Sequence, residues 1–136
     1  MKILLIQPPV AEKDITSFLY PPMGLISLAA TLREAGHIIW IHDCNLYSQS
    51  YDEVLKTIRI KKPEVIGITA MTVNINNAFE VAKKIKKINE KIITIVGGVH
   101  ATVASNDVLK DPNVDFIVIG EGELSLNRLL KAISRK

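Results

Sequence analysis

The stretch TIVGGVHATVA, residues 94–104, joins a β-branched run to two adjacent glycines and then to a segment that resembles a helix start. Short apolar runs rich in isoleucine and valine are typical of strands buried on both faces of a sheet. Two glycines directly after such a run predict a backbone shape or a close approach that a side chain would prevent. We therefore expect a strand, a loop and a helix in that order, with the loop either a plain turn or part of a ligand site.

The same alternation continues outward from this stretch along the whole chain. Predicted strands cover Lys2–Ile6, Ile38–Ile41, Val65–Thr69, Ile92–Val96 and Phe116–Ile119. Apolar residues at helical spacing predict helices around Leu25–Leu32, Tyr51–Ile58, Ala78–Ile85 and Leu126–Ile133, and a shorter one over Ala101–Leu109. Gly36 is placed to end the first helix in a left-handed conformation. Strands alternating with helices predict a doubly wound α/β domain with a five-stranded parallel sheet.

Composition limits the class of protein further. A chain of 136 residues that is 48% hydrophobic predicts one domain over residues 1–136. Cys44 is the only cysteine, so neither an internal disulfide nor a thiolate cluster is possible, and its neighbours His42 and Asp43 cannot converge with it on one metal ion. No apolar run suits a signal peptide or a membrane span, which predicts a cytoplasmic protein without a membrane partner. Net charge +3 and a lysine-rich stretch without interleaved aromatics predict a solvated helix face rather than nucleic-acid binding.

Ligands of such sheets bind beyond the carboxyl ends of the strands, so the loops there exclude several classes. No G-x-G-x-x-G or Ser/Thr-rich phosphate loop follows the first strand, and no P-loop or G-x-S-x-G elbow occurs anywhere. A phospho-accepting receiver would need carboxylates after the first and third strands and a lysine after the fifth; this chain has Gln7, Thr69 and Gly120 there. Glycines, hydroxyls and prolines at the strand ends suit a bulky, mostly neutral ligand against backbone.

Several loop residues also admit a purely structural interpretation. Gly97 and Gly98 could form a tight turn or leave room for a ligand. His100 could cap its helix or contact the edge of a cofactor, and it has no acidic or cysteine partner in its own loop. Glu121 and Glu123 could be first-turn carboxylates favoured by the helix dipole, since no partner for acid or base catalysis accompanies them.

Four segments in register resemble the N-terminal cobalamin (vitamin B12)-binding domain of the B12-dependent radical SAM enzymes. The matching motifs are PPMGL at residues 21–25 with LREAGH at 32–37, VIGITAMT at 65–72, VGGVHAT at 96–102 and DFIVIGEGE at 115–123. The resemblance runs in order across nearly the whole chain. It implies a flavodoxin-like, Rossmann-like three-layer sandwich whose cofactor is cobalamin.

The resemblance also implies where the cofactor would lie. The corrin ring would cover the strand ends, and its nucleotide tail would enter the cleft of the sheet, with close backbone approach at the glycines and hydrogen bonds from hydroxyls and carboxylates. The implied cofactor-binding residues are Pro8, Pro9, Met23, Gly24, Thr69, Met71, Thr72, Gly97, Gly98, His100, Gly120, Glu121, Gly122 and Glu123. No residue of this chain is assigned as catalytic or as a metal ligand. We also expect replacement of Gly98 by valine to abolish binding without unfolding the chain.

Departures from the resembled families restrict the expected function. The motif D-x-H-x-x-G, whose histidine ligates cobalt in B12 mutases, is absent, so cobalt would be held without that ligand. One cysteine cannot form the CxxxCxxC motif of a [4Fe–4S] cluster, so that cluster and S-adenosylmethionine would belong to a radical SAM methyltransferase or cyclase domain outside these residues. The chain would then be either the N-terminal part of a longer protein, which we favour, or a freestanding corrinoid carrier. The alternatives are a small-molecule sensor of the same fold without corrinoid and, more weakly, a nucleotide-sugar or CoA site.

Overall fold

The computed structural model describes residues 1–9, 20–46 and 50–135, in which strands and helices alternate as predicted. The strands are β1 (Lys2–Gln7), β2 (Ile38–Asp43), β3 (Val65–Thr69), β4 (Ile93–Gly97) and β5 (Phe116–Ile117). The helices are α1 (Met23–Glu34), α2 (Tyr51–Lys61), α3 (Ile75–Ile88), α4 (Val99–Val103), α5 (Ser105–Val108) and α6 (Gly122–Ile133). Each predicted strand and helix therefore has a counterpart in the structure. The boundaries differ from the predicted ones mainly near the carboxyl end of the sheet.

All five strands are parallel and lie in the order β2-β1-β3-β4-β5. This is the flavodoxin-like order, so the predicted fold class is confirmed, and β2 forms one edge of the sheet. The order reverses between β1 and β3. A cleft is expected outside the carboxyl ends of the strands at that position.

The sheet separates two apolar cores. Helices α1 and α6 cover one face and bury Leu25, Ala29, Leu32, Leu126 and Leu130 against Ile3, Leu5, Val65 and Ile95. Helices α2 and α3, with α4 and α5, cover the other face and bury residues such as Val54, Ile58, Val81, Ile85 and Val108 against Leu4, Ile6, Ile66 and Val96. Alternate residues of each strand enter different cores, because successive side chains of a strand point to opposite faces.

The prediction of one short helix between β4 and β5 is wrong. Instead of one helix over Ala101–Leu109, α4 and α5 follow each other around Ala104, whose φ of −131° and ψ of 41° lie outside the helical region. The β-branched pair Thr102 and Val103 precedes this break, and such residues lower helix propensity. The structure also contains a short 3₁₀ turn at Thr72–Asn74, between β3 and α3.

The fifth predicted strand is too long by two residues. Pairing with β4 covers only Phe116 and Ile117, although the Val118 N–H still donates to the Val96 carbonyl oxygen at 2.9 Å. The ladder cannot continue because β4 ends at Gly97 and the chain turns there into α4. The loop after β5 is therefore held by contacts other than strand pairing.

Helix ends agree with the sequence pattern at one position and not at another. Gly36 follows α1 with a φ of +87°, as predicted for a residue that ends a helix. Lys62 ends α2 in the same left-handed region, with a φ of 49°, although it carries a side chain. Within the described residues, no helix is long and apolar enough to cross a membrane.

Candidate functional site

A cavity of about 390 Å³ opens at the carboxyl ends of the strands, on the side covered by α1 and α6. Its floor includes Leu5, Gly67 and Ile95, which lie side by side in β1, β3 and β4. A Cβ atom on Gly67 would come 2.8 Å from the Leu5 Cδ2 atom, so the missing side chain leaves room for Leu5 in this row. The volume lies within the range of small-molecule pockets.

The walls of the cavity are apolar in its depth and carry polar groups towards the loops. Leu25 and Leu28 of α1 and Leu126 of α6 face the floor across the cavity. The polar side chains of the lining lie at or beyond the carboxyl ends of the strands: Thr69, Thr102, Glu121 and Glu123. An apolar planar group could therefore be buried inside, while hydrogen-bonding substituents would meet polar groups near the loops.

The structure brings together eight of the fourteen residues that the resemblance assigned to the site. Those that line the cavity are Gly24, Thr69, Gly97, Gly98, Gly120, Glu121, Gly122 and Glu123. Those outside its lining are Pro8, Pro9, Met23, Met71, Thr72 and His100. Since the cavity extends across β1, β3 and β4, it includes the position at which the strand order reverses. The predicted location of the site, beyond the carboxyl ends of the strands, thus coincides with this cavity.

Gly98 is required by the protein's own backbone. Its φ of +94° is a conformation that residues with a side chain rarely adopt, and a Cβ there would lie 2.8 Å from the Ala70 carbonyl oxygen. The Ala70 N–H donates to the Gly97 carbonyl at 2.9 Å, and the His100 N–H donates to the Ala70 carbonyl at 3.0 Å, which ties the ends of β3 and β4 together. The expectation that a valine at Gly98 would leave the fold intact is therefore wrong.

Other glycines of the lining do leave open space. A Cβ on Gly24 or on Gly120 would meet no atom of the described residues within 4 Å. At Gly97 it would make only an ordinary contact, 3.6 Å from the Val118 carbonyl oxygen. Gly122 is different, because an added Cβ would lie 2.9 Å from the end of the Leu28 side chain. Gly24, Gly97 and Gly120 are thus the positions where a bound group could approach the backbone closely.

His100 contacts a residue of the β3 loop. Its Nδ1 atom lies 3.2 Å from the Thr72 hydroxyl, and neither residue lines the cavity. The other two histidines also lie outside the lining: His37 Nδ1 lies 3.4 Å from the Met1 amino group, and His42 Nδ1 lies 3.1 Å from the Thr57 hydroxyl. In the part of the chain that the structure describes, no histidine lines the cavity.

Glu123 anchors α6 to α1 at the mouth of the cavity. Its Oε1 atom accepts a hydrogen bond from the Ser27 hydroxyl at 2.6 Å. This hydrogen bond, together with one from its own backbone N–H, lowers the pKa of the Glu123 carboxyl. A carboxylate that is already ionised and held in this way suits acceptance of hydrogen bonds rather than acid catalysis.

The two prolines after β1 are held by amide side chains from neighbouring elements. Asn45 Nδ2 donates to the Pro8 carbonyl oxygen at 3.3 Å, and Asn77 Nδ2 donates to the Pro9 carbonyl oxygen at 2.6 Å. These contacts determine where the first loop leaves the sheet. Residues 10–19 of the same loop lie outside the described residues, and the contact of Pro8 and Pro9 with the cofactor stays a prediction.

Gly67 and Thr102 are among the lining residues that sequence reasoning left out of the site. Gly67 lies inside a strand, and an isolated glycine there is a signal of close approach that could have been used. Thr102 lies in α4, where its hydroxyl donates to the Gly98 carbonyl and accepts from the Gly120 N–H, both at 3.0 Å. No local pattern predicts the second bond, because its partner is 18 residues away.

The mouth of the cavity is bordered by exposed apolar side chains. Val99 and Val103 of α4 are 63% and 72% exposed, and Met23 and Leu124, beside lining residues of α1 and α6, are 68% and 71% exposed. Groups of exposed apolar residues on one side of a domain mark surfaces that bind ligands or other protein parts. This border, formed by Met23, Val99, Val103 and Leu124, is called the apolar rim below.

Fold and cavity together define a ligand-binding α/β domain of flavodoxin-like topology, with its site beyond the strand ends. Comparison with known proteins identifies which domain it is. A family model described as the B12 binding domain matches residues 16–130, and the chain belongs to that family. Cobalamin is the cofactor of the family, so the predicted resemblance and the predicted cofactor are both confirmed.

Relatives and solved structures agree with this assignment. The chain is 37% identical over 138 residues to an uncharacterized methyltransferase of Pyrococcus horikoshii and covers 30% of it. It is 34% identical over 119 residues to the anaerobic magnesium-protoporphyrin IX monomethyl ester cyclase of Rubrivivax gelatinosus and covers 21% of it. These alignments include 99% and 85% of the present chain.

Among solved structures, the fold is similar to part of the radical S-adenosylmethionine methyltransferase TsrM from Kitasatospora setae, with a TM-score of 0.83 at 17% identity. It is also similar to part of the cobalamin-dependent S-adenosylmethionine radical enzyme OxsB with aqua-cobalamin bound, with a TM-score of 0.82 at 20% identity. In both, 98% of this chain is aligned, to 26% and 19% of the other chain. The 136 residues therefore correspond to less than a third of each of these proteins.

Proposed function

We propose that this chain holds cobalamin with its nucleotide tail in the cavity between the sheet and helices α1 and α6. The observation that supports this most strongly is the cavity itself, whose floor of Leu5, Gly67 and Ile95 is apolar and whose polar groups lie towards the loops. A planar base would be buried against aliphatic side chains, while Thr69 and the two carboxylates would meet the more polar parts of the cofactor.

The corrin ring would lie over the strand ends, above the mouth of the cavity. Open space at Gly24, Gly97 and Gly120 would admit its edge to the backbone, and the apolar rim would contact its faces and side chains. Met71, Thr72 and His100 would then border the ring from outside the cavity, and Pro8, Pro9 and Met23 would shape its other side. Bound cobalamin would supply a cobalt centre that can carry a methyl group.

Cobalt would be held without a histidine from the D-x-H-x-x-G motif. The contacts of the three histidines support this, since His37 contacts Met1, His42 contacts Thr57 and His100 contacts Thr72, and none of these groups lines the cavity. The chain's role would be to bind and orient the cofactor and to exclude water from its tail. No catalytic group of the chain is needed for that role.

The chemistry would come from a radical SAM domain, with a [4Fe–4S] cluster and S-adenosylmethionine, in the same or a partner chain. Two features support this: the relatives are named as methyltransferases and cyclases, and this chain spans only 30% and 21% of the first two. The apolar rim is the surface that would face such a domain across the corrin. That residues 1–136 form one N-terminal domain of a longer cytoplasmic protein stays a prediction.

The test is retention of the cofactor. The purified chain would be incubated with hydroxocobalamin and desalted, and the visible spectrum would be recorded. We expect corrinoid bands at near-equal stoichiometry. A colourless protein would contradict the proposal and would favour the corrinoid-free sensor.

Two variants of the same helix locate the binding. Gly24→Leu places a side chain in the open space at the cavity, and we expect it to weaken retention about tenfold or more. Ala30→Leu adds similar bulk on the exposed side of α1 and should retain cobalamin like the unmodified chain. Equal retention by both variants would show that the cofactor binds elsewhere.

A further inference from the structure

The loop after β5 forms one wall of the cavity but receives little support from the sheet. Regular pairing of β5 with β4 ends at Ile117, and the last main-chain bond between them runs from the Val118 N–H to Val96. Beyond it, Gly120 has a φ of +69°, which takes the backbone out of strand geometry. Something other than the ladder must therefore hold Gly120 and Glu121 at the lining.

Thr102 supplies that support. Its hydroxyl accepts a hydrogen bond from the Gly120 N–H at 3.0 Å, and it donates to the Gly98 carbonyl at 3.0 Å. The hydroxyl thus lies between the glycines that follow β4 and β5, both of which have a positive φ. A hydroxyl can accept one hydrogen bond and donate another at the same time, which an aliphatic side chain of the same shape cannot do.

The opposite side of the same wall is held by a second contact. There Glu123, at the start of α6, accepts the hydrogen bond from Ser27 of α1. The segment from Gly120 to Glu123 is therefore fixed at both ends by side-chain hydroxyls rather than by strand pairing. Of the two hydroxyls, that of Thr102 is the one that belongs to the cavity lining.

We infer that Thr102 is a positioning residue for cobalamin, which sets the spacing of the Gly98 and Gly120 loops across the mouth of the cavity. This inference rests on the proposed function. Without the hydroxyl, the Gly120 loop would lose this hydrogen bond to α4, and the cofactor would have to order that loop on binding. Ordering a loop during binding lowers affinity.

The test compares Thr102→Val, which keeps the shape but loses both hydrogen bonds, with Thr102→Ser, which keeps the hydroxyl. Thr31→Val is the matched control, because Thr31 is also helical and also donates to the carbonyl four residues earlier, Ser27, at 3.2 Å, but it does not line the cavity. We expect Thr102→Val to raise the Kd for hydroxocobalamin about tenfold. Thr102→Ser and Thr31→Val should bind as the unmodified chain does.

A second readout needs no cofactor. In the cobalamin-free protein, amide-proton exchange at Gly120 followed by NMR should become faster in Thr102→Val and stay unchanged in Thr102→Ser and Thr31→Val. Unchanged exchange and unchanged Kd in Thr102→Val would overturn the inference while leaving the proposed function intact. If the unmodified chain fails to bind cobalamin, the proposed function fails, and the Gly120 exchange rate alone decides whether Thr102 positions the loop.

Discussion

Among single residues, Gly98 meets the strictest steric requirement at the site. Two conditions act on it at once: a φ of +94° and a Cβ position only 2.8 Å from the Ala70 carbonyl oxygen. Ala70 cannot move away easily, because its N–H donates to the Gly97 carbonyl at the end of β4 and its carbonyl accepts from the His100 N–H of α4. The residue is therefore needed for folding of the site before any cofactor binds.

Gly98 and Gly24 should respond differently to an added side chain, because only Gly98 lacks the space for one. Gly98→Ala should lower the free energy of unfolding by about 1–3 kcal/mol from backbone strain alone, with a further loss from the contact with Ala70. Gly24→Ala, in a helix and facing open space, should instead be neutral or stabilising by up to about 1 kcal/mol. Urea unfolding of the cobalamin-free protein measures both. Equal effects of the two substitutions would contradict this account of Gly98.

Between elements, the packing of the edge strand β2 on α2 includes a buried histidine. His42 is 9% exposed, its Nδ1 atom lies 3.1 Å from the Thr57 hydroxyl, and among the described residues its Nε2 atom has no hydrogen-bond partner. Burial lowers the pKa of His42, although the nearby carboxylates of Glu53 and Asp43 oppose the shift. The folded state therefore favours the neutral imidazole.

This packing predicts a loss of stability in mild acid. Because the pKa of His42 is lower in the folded chain than the ordinary value of 6.5, the unfolded chain takes up the proton first as the pH falls. The free energy of unfolding should keep its full value at pH values above 6.5. It should decline as the pH falls from there towards the pKa of His42 in the folded chain, and it should level off below that pKa. In His42→Leu the difference between the free energies of unfolding at about pH 7.5 and about pH 5 should shrink.

Part of the acid sensitivity should remain in that variant. Burial lowers the pKa of His37, and the positive charge of the Met1 amino group lowers it further. His37 therefore contributes to the pH dependence of stability with the same sign as His42. A His37→Leu, His42→Leu double variant should therefore show a smaller pH dependence than either single variant. An unchanged pH dependence in His42→Leu, measured by urea unfolding, would be evidence against the buried neutral histidine.

For the whole molecule, the two faces of the sheet differ in how completely they are filled. The α2 and α3 face is packed up to the strand ends, with Ala70 and Val96 fully buried. On the α1 and α6 face the core stops short of the strand ends and leaves the cavity bordered by the apolar rim. A ligand that fills this space would complete the second core.

Ligand binding should therefore stabilise the whole fold. At a free cobalamin concentration of about 100 times the Kd, mass action adds about 2.7 kcal/mol, which raises the Tm by several degrees for a chain of this length. Cobinamide, which has the corrin ring but no nucleotide tail, should raise the Tm less, because it would leave the cavity empty. Thermal unfolding followed by circular dichroism compares them. Equal Tm shifts with both corrinoids would show that the nucleotide tail does not occupy the cavity.

The order and the type of the strands and helices were predictable from the local sequence pattern. The pattern also predicted that the site lies at the carboxyl end of the sheet. Apolar periods in segments such as Val65–Thr69 and Ala78–Ile85 reflect burial of one or both faces, and that burial depends little on the rest of the fold. Of the glycine pair at 97–98, Gly98 has the unusual backbone that the pair suggested, and Gly97 does not. The boundaries were less accurate, because the end of β5 depends on where its neighbour β4 turns away.

Tertiary contacts were responsible for the rest. Gly98 must lack a side chain because Ala70 lies against it, and Thr102 holds Gly120 by a hydrogen bond. Both contacts depend on groups that are brought together from different strand ends. Likewise, His100 lies against Thr72 outside the cavity, and Gly67 belongs to its floor beneath α1 and α6. Such contacts form only after the strands pair in the order β2-β1-β3-β4-β5. Side-chain periodicity along the chain records which face of an element is buried, but it carries no information about which distant loop lies beside it.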